Sequence, residues 1–173
     1  MVFMISVAYG TRALGFASYS GATAACAWAW RRTAQKQAWG TLGLIQLILL
    51  LDLVFKWRWK LHDWAVVHAV ADNLYDERRW PQKIVLALVF AAMIVLALRL
   101  WRHFAGSSGL VLAVVATIFS VALRLAELIS WHKSDAILHA PVAGAMVVTF
   151  LWFGLGAATA AGAWIALRYT AFS

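Results

Sequence analysis

The 173-residue sequence is poor in cysteine, proline and charged side chains. Its single cysteine, Cys26, excludes an internal disulfide framework and any CxxC chemistry. Its two prolines argue against a proline-rich linker. Only 13% of the residues are charged, whereas soluble domains carry about a quarter. The chain is therefore not an ordinary soluble domain.

Apolar residues, by contrast, make up 64% of the chain, and the mean hydropathy is +0.78. This composition argues against disorder. A membrane-spanning helix needs about 20 apolar residues, so four or five spans fill the chain almost completely. The sequence predicts an all-α, polytopic transmembrane helical bundle that forms a single domain, 1–173. No room remains for a soluble catalytic domain, and we expect no enzyme activity.

Five spans are predicted from the apolar runs, and the first is the weakest. They cover residues 13–30, 38–55, 84–101, 109–131 and 142–167. Residues 1–12 either lengthen the first span or lie at the interface. Pro81 and Pro141 stand where the third and fifth spans begin, a position that tolerates a missing N–H. Between the second and third spans, apolar residues at 3–4 residue spacing predict a helix over about 61–77, either lying on the membrane or packed on neighbouring loops.

Fifteen Lys and Arg against seven Asp and Glu give a net charge of +8. Most of these cations flank apolar runs, where they contact lipid head groups, so we expect membrane lipids and not nucleic acid as the anionic partner. The predicted head-group contacts are Trp57, Arg58, Trp59, Lys60, Arg78 and Arg79. The shorter loops on the other side carry cations without acids, which favours an external N-terminus and a cytoplasmic C-terminus.

Small residues recur every four positions in the first and fifth spans, where they let helix backbones approach closely. They include Gly21 and Ala25 in the first span, and Gly154, Ala158 and Gly162 in the fifth. Two interpretations are open: the two helices pack on each other, or they dock against other subunits. In the second case, Gly162→Leu would disrupt assembly.

Arg124 and Glu127 lie within the fourth span, and their i, i+3 spacing places them on one helix face. An unpaired charge is costly in lipid, so the two side chains must pair, with Asp52 as a further partner for Arg124. A structural ion pair is one interpretation. A proton or ion relay through Asp52, Glu127 and His132 is another.

A third interpretation is a pigment or haem ligand at His132 or His139. The seven-residue separation of these histidines does not fit the i, i+4 spacing of helical zinc motifs, and no metal site is predicted. One histidine at the membrane edge could still serve as the single axial ligand of a pigment. The expected cofactor is therefore a bound lipid or a tetrapyrrole pigment. No catalytic triad, phosphate loop or paired carboxylate motif occurs in the sequence, and no catalytic residue is assigned.

Several short motifs together resemble a family of small uncharacterised bacterial polytopic membrane proteins, over about residues 40–140. The motifs are Leu51-Asp52, Tyr75-Asp76-Glu77-Arg78-Arg79, Gln82, Arg124, and Ser130-Trp131-His132 with Asp135. The chain departs from the family pattern at Leu49-Leu50-Leu51, where the family has a polar approach to the aspartate. No activity is assigned to this family, so the resemblance implies none for this chain. It implies that Asp52, Arg78/Arg79 and His132/Asp135 cluster at one membrane face.

The function expected from this sequence is that of a non-catalytic accessory or scaffold subunit. Its partners would be other integral membrane subunits of a larger energy-transducing complex, photosynthetic or respiratory. A small transporter or ion-conducting protein that uses the intramembrane charges is the first alternative. A membrane protein that binds pigment or haem through histidine is the second.

Overall fold

A computed structural model describes residues 2–71, 79–104, 106–129 and 136–170. It confirms the all-α fold class, with helices as the main elements and one small hairpin. The helices are α1 (Val2–Arg32), α2 (Lys36–Phe55), α3 (Trp57–Ala71), α4 (Arg79–His103), α5 (Ser108–Ile129) and α6 (Val147–Thr170), and the strands are β1 (Pro141–Val142) and β2 (Ala145–Met146). A further helical turn covers residues 136–138.

Among the described residues, four helical stretches are long and apolar enough to cross a membrane, which makes the chain a multi-pass membrane protein. They are Lys36–Phe55, Gln82–His103, Ser108–Ile129 and Val147–Tyr169. The first predicted span, 13–30, lies in α1. This helix contains many small and polar residues, and it is not among the four stretches that are apolar enough to cross a membrane. At 1.5 Å per residue, α1 is about 46 Å long, more than the hydrocarbon thickness of a bilayer. The fifth crossing, by α1, stays a prediction.

The N-terminal end of the last span differs from the prediction. Residues 142–146 belong to the hairpin and not to a helix, and α6 begins at Val147. The cause is local: Ala143 (φ 48°) and Gly144 (φ 81°) both have positive φ, the geometry of a tight two-residue hairpin turn. Pro141 therefore stands in β1, whereas Pro81 lies in the first turn of α4 as expected. The helix predicted over 61–77 is also shifted, since α3 begins at Trp57 and residues 72–78 lie outside the described chain.

Helix α1 packs along both α2 and α6, and α5 packs along α4 and α6. The short connections at 33–35 and 104–107 make α1/α2 and α4/α5 antiparallel pairs. Helices α1 and α6 run parallel, because Thr11 accepts a hydrogen bond from the Met146 N–H near their starts and Trp28 contacts Trp164 near their ends. The C-terminal ends of α2 and α5 and the N-terminal ends of α1, α3 and α6 consequently meet at one end of the bundle. We call this end the charged end, and the opposite end, near Lys36 and His103, the basic end.

Small residues set the closest helix approaches. Gly109 of α5 faces Gly162 of α6, and a Cβ added to Gly162 would lie 2.5 Å from the Gly109 carbonyl oxygen. Gly156 of α6 lies directly against Ser18 of α1, whose hydroxyl donates to the Trp152 carbonyl oxygen (2.6 Å). Lipid provides no hydrophobic drive for helix association, so such backbone contact and hydrogen bonding hold the bundle together.

Candidate functional site

A cluster of four charged side chains is buried at the charged end of the bundle. Asp52 comes from the last turn of α2, Arg58 from the first turn of α3, and Arg124 and Glu127 from α5. The side chains of Arg124 and Glu127 are 6% and 3% exposed, and those of Arg58 and Asp52 are 14% and 15% exposed. Two cations and two carboxylates make the cluster neutral as a whole, which is the condition for keeping charges out of water.

Glu127 is the centre of this cluster. One carboxylate oxygen, Oε2, accepts from Arg124 Nη1 (3.3 Å) and also forms an ion pair with Arg58. The other oxygen, Oε1, accepts from the indole N–H of Trp152 in α6 (2.9 Å). Glu127 therefore joins α3, α5 and α6, and both of its oxygens are engaged.

Arg124 rests on aromatic rings. Its guanidinium carbon lies 4.0 Å from the Trp152 ring centroid and 5.1 Å from that of Tyr19 in α1. Cation–π attraction of this kind strengthens when water is excluded. It compensates for Arg124 Nε and Nη2, which have no hydrogen-bond partner within the described chain. The aromatic pair thus adds α1 to the helices that the cluster connects.

Asp52 holds the junction between α2 and α3. Its carbonyl oxygen accepts from the Lys56 N–H (2.8 Å), and Lys56 adopts the left-handed conformation (φ 54°) that ends α2. Its carboxylate oxygen Oδ1 accepts from the Arg58 N–H (3.0 Å) in the first turn of α3, where a negative charge is favoured by the helix dipole. Oδ2 lies 3.9 Å from Arg58 Nε. The backbone carbonyl of Asp52 therefore closes the end of α2, and its carboxylate caps the start of α3.

Arg58 remains a cation in this setting. Burial and the nearby Arg124 lower the pKa of Arg58 to about 10, while Asp52 opposes the shift. This pKa is still well above neutral pH, so Arg58 is protonated and the charge balance of the cluster holds. A cavity of about 420 Å³ adjoins Arg58 and Asp52 and is also lined by Arg12, Lys56 and His139.

Arg58 corrects one sequence expectation. It was predicted to contact lipid head groups with its neighbours, but its side chain is directed into the bundle toward Glu127 and Asp52. Trp57, Trp59 and Lys60 are exposed around it. Asp52, the expected extra partner of Arg124, pairs instead with Arg58. Cations and tryptophans alternate over residues 56–60. This pattern gives no sign that the Arg58 side chain is mostly buried while its neighbours are exposed.

The remaining predicted residues fall in several places. His132, Asp135 and Arg78 lie outside the described residues, Arg79 is the first residue of α4, and His139 lines the 420 Å³ cavity with its ring 6.3 Å from that of Trp59. Of the predicted packing residues, Gly21 and Gly154 are exposed with no atom within 4 Å of an added Cβ, Ala25 and Ala158 are half-buried, and Gly162 is buried against α5. The close contact between α1 and α6 uses Gly156 and Ser18 instead.

Sequence reasoning missed Gln46, Tyr19 and Trp152. Gln46 is fully buried within α2, and its amide nitrogen Nε2 donates to the hydroxyls of Thr117 (3.0 Å) and Thr159 (3.4 Å), which joins α2, α5 and α6. A single glutamine in the run Gly43–Leu51 was the available signal, since a polar side chain in such a run requires partners. Tyr19 and Trp152 carried no signal, because their role depends on tertiary contacts with Arg124.

Within the described ranges, no three His, Cys, Asp or Glu side chains are grouped closely enough to hold a metal ion. Comparisons of the chain with protein-family models, with curated proteins and with solved structures found no match.

Proposed function

We propose that this chain is a non-catalytic accessory subunit that assembles with other integral membrane subunits of a larger energy-transducing complex, photosynthetic or respiratory. The proposal places it in the bacterial cytoplasmic membrane, with its N-terminus outside and its C-terminus in the cytoplasm. The observation that carries the proposal is the position of α4, which lies at the edge of the bundle.

Helix α4 packs on α5 along one narrow face and exposes most of its surface. The α4 residues that pack against the buried core cluster are Met93, Ala97 and Leu100, about one residue per turn. Only 6% of its apolar stretch is buried, against 67% of that of α5. The exposed side includes Ala87 and Ala91, which are one turn apart and allow a further helix to approach closely. This surface supports assembly with another membrane protein.

The charge cluster supports a scaffolding role for the remaining helices. Its charges are neutralised by one another, and Glu127 has both oxygens occupied. Separating such a pair leaves an uncompensated buried charge, which costs several kcal/mol. An arrangement of this kind favours a fixed relative position of α2, α3, α5 and α6, as a scaffold requires.

Ion conduction is the second candidate, and the 420 Å³ cavity beside Asp52 and Arg58 is the observation that favours it. In this case the cavity would admit ions from one face to the cluster. A carboxylate that guides an ion must offer it a free oxygen, whereas both oxygens of Glu127 are engaged and those of Asp52 face Arg58. We therefore place it below the scaffold role.

Native purification tests the assembly proposal. We expect the tagged chain, extracted from its natural membrane in mild detergent, to migrate on a native gel in a complex with other integral proteins. Ala91→Trp should release the chain from this complex, because an indole on the exposed α4 face blocks close helix approach. Leu44→Trp, at an exposed position of α2 away from the small-residue faces, is the control.

Two results would contradict the proposal. One is a chain that purifies alone from its natural membrane. The other is a purified chain that moves ions across liposomes, with transport lost in Asp52→Asn; this would establish the conduction alternative. An optical spectrum of the purified protein detects a bound pigment and so distinguishes the pigment-binding alternative from assembly and from ion conduction.

A further inference from the structure

A large apolar cleft lies between α2 and α4, with α5 as its floor. Its volume is about 920 Å³, within the range of small-ligand pockets. Ile45 of α2 and Leu96 of α4 form its walls, and Val114 and Ile118 of α5 form its floor. Lys36 and His103 lie at its mouth, at the basic end of the bundle.

The depth of this cleft matches one leaflet of a bilayer. Along α2 it runs from Lys36 to Ile45, and along α4 from His103 to Met93, which at 1.5 Å per residue is about 14–15 Å. The hydrocarbon core of a bilayer is about 30 Å thick, so half of it is about 15 Å. A cleft that starts at the membrane surface and ends near the midplane fits an acyl chain of that leaflet.

The positive charge around the mouth of the cleft favours a lipid with an anionic head group. The segments 31–36, 99–104 and 166–170, which surround the basic end, contain no Asp or Glu and carry Arg31, Arg32, Lys36, Arg99, Arg102 and Arg168. All seven acids of the chain occur in 52–77 and 127–135, outside these segments, and Asp52 and Glu127 lie at the charged end. A head group at Lys36 and His103 therefore meets an uninterrupted positive field, which favours an anionic phosphate.

We propose that this cleft binds one anionic phospholipid from the leaflet at the basic end, with an acyl chain between α2 and α4 and its phosphate at Lys36 and His103. The lipid bridges α4 to α2 and so supports a helix that packs within the described chain mainly on α5. The proposal does not depend on the assembly role, because it rests on the cleft alone.

Native mass spectrometry of the purified chain with added dipalmitoyl phosphatidylglycerol tests this site. We expect one tightly retained lipid per chain, and weaker retention of the zwitterionic phosphatidylcholine with the same acyl chains. Leu96→Trp should abolish the retention, because an indole at this half-exposed wall position fills the cleft. Leu98→Trp, on the same helix but outside the cleft, should retain the lipid and is the matched control.

The head-group contact is tested separately. Lys36→Gln should reduce the preference for phosphatidylglycerol over phosphatidylcholine by about fivefold, the effect of one basic residue at a membrane surface. Lys36→Arg should keep the preference, and Arg102→Gln, which removes a charge at the same end but outside the cleft, should change it less. Equal lipid retention in Leu96→Trp and Leu98→Trp would overturn the site. Equal retention of both lipids by the unaltered chain would overturn the anionic head group.

Discussion

Glu127→Gln is expected to lower the free energy of unfolding by about 3–5 kcal/mol, because it leaves two buried guanidinium groups without their shared carboxylate. Asp52 remains near Arg58 but does not replace the Arg124 pair. Arg124→Met should cost less, since Glu127 keeps its ion pair with Arg58 and its hydrogen bond from Trp152. Unfolding by sodium dodecyl sulfate in mixed micelles, followed by circular dichroism, measures both changes.

Asp63→Asn is the matched control, because Asp63 is exposed on α3 and its neutralisation should change the free energy of unfolding by less than about 0.5 kcal/mol. The double variant Arg124→Met/Glu127→Gln should be less destabilised than the sum of the two single variants, since removing both partners leaves fewer uncompensated charges. Strictly additive losses would show that Arg124 and Glu127 are not energetically coupled, and would contradict a structural role for the pair.

The composition of this cluster shows how far sequence reasoning reaches. The i, i+3 spacing of Arg124 and Glu127 within an apolar helix is enough to predict that they share a face, because helix geometry fixes it. The partner of Glu127 on α3 was not predictable, because Arg58 sits among lysines and tryptophans that all suit a head-group layer. The turn at Lys56 and the capping by Asp52 are tertiary features that direct Arg58 inward and leave Trp57 and Trp59 exposed.

The fold, like the charge cluster, was predictable from the sequence only in part. Apolar runs of about 20 residues have few alternatives to transmembrane helices, so the all-α class and four of the helices followed from composition. The start of α6 did not, because the apolar residues of 142–146 are compatible with either a helix or a hairpin. Positive φ at Ala143, a residue without a turn preference, is set by the pairing of Val142 with Ala145 and by the contact of the hairpin with α1.

Gly162→Leu is expected to cost about 3 kcal/mol or more of unfolding free energy, because it forces α5 and α6 apart. Even a Cβ at this position would lie 2.5 Å from the Gly109 carbonyl oxygen and 2.8 Å from the Ala113 nitrogen. These are backbone atoms, which cannot yield by changing a rotamer, so the helices themselves must move. The same shift would disturb the cluster, since Glu127 on α5 and Trp152 on α6 would separate. A lowered thermal midpoint in detergent, with faster proteolysis, measures the loss.

Gly154→Leu is the matched control on the same helix, two turns away. No atom lies within 4 Å of an added Cβ there, and leucine is a better helix former than glycine by somewhat less than 1 kcal/mol. Its stability in detergent should be unchanged or slightly higher. If Gly154→Leu nevertheless removes the chain from a native complex, its exposed face of α6 is a second contact with partner subunits. A fold that tolerates Gly162→Leu as well as Gly154→Leu would contradict the close α5–α6 approach, and with it the packing that places Trp152 against Glu127.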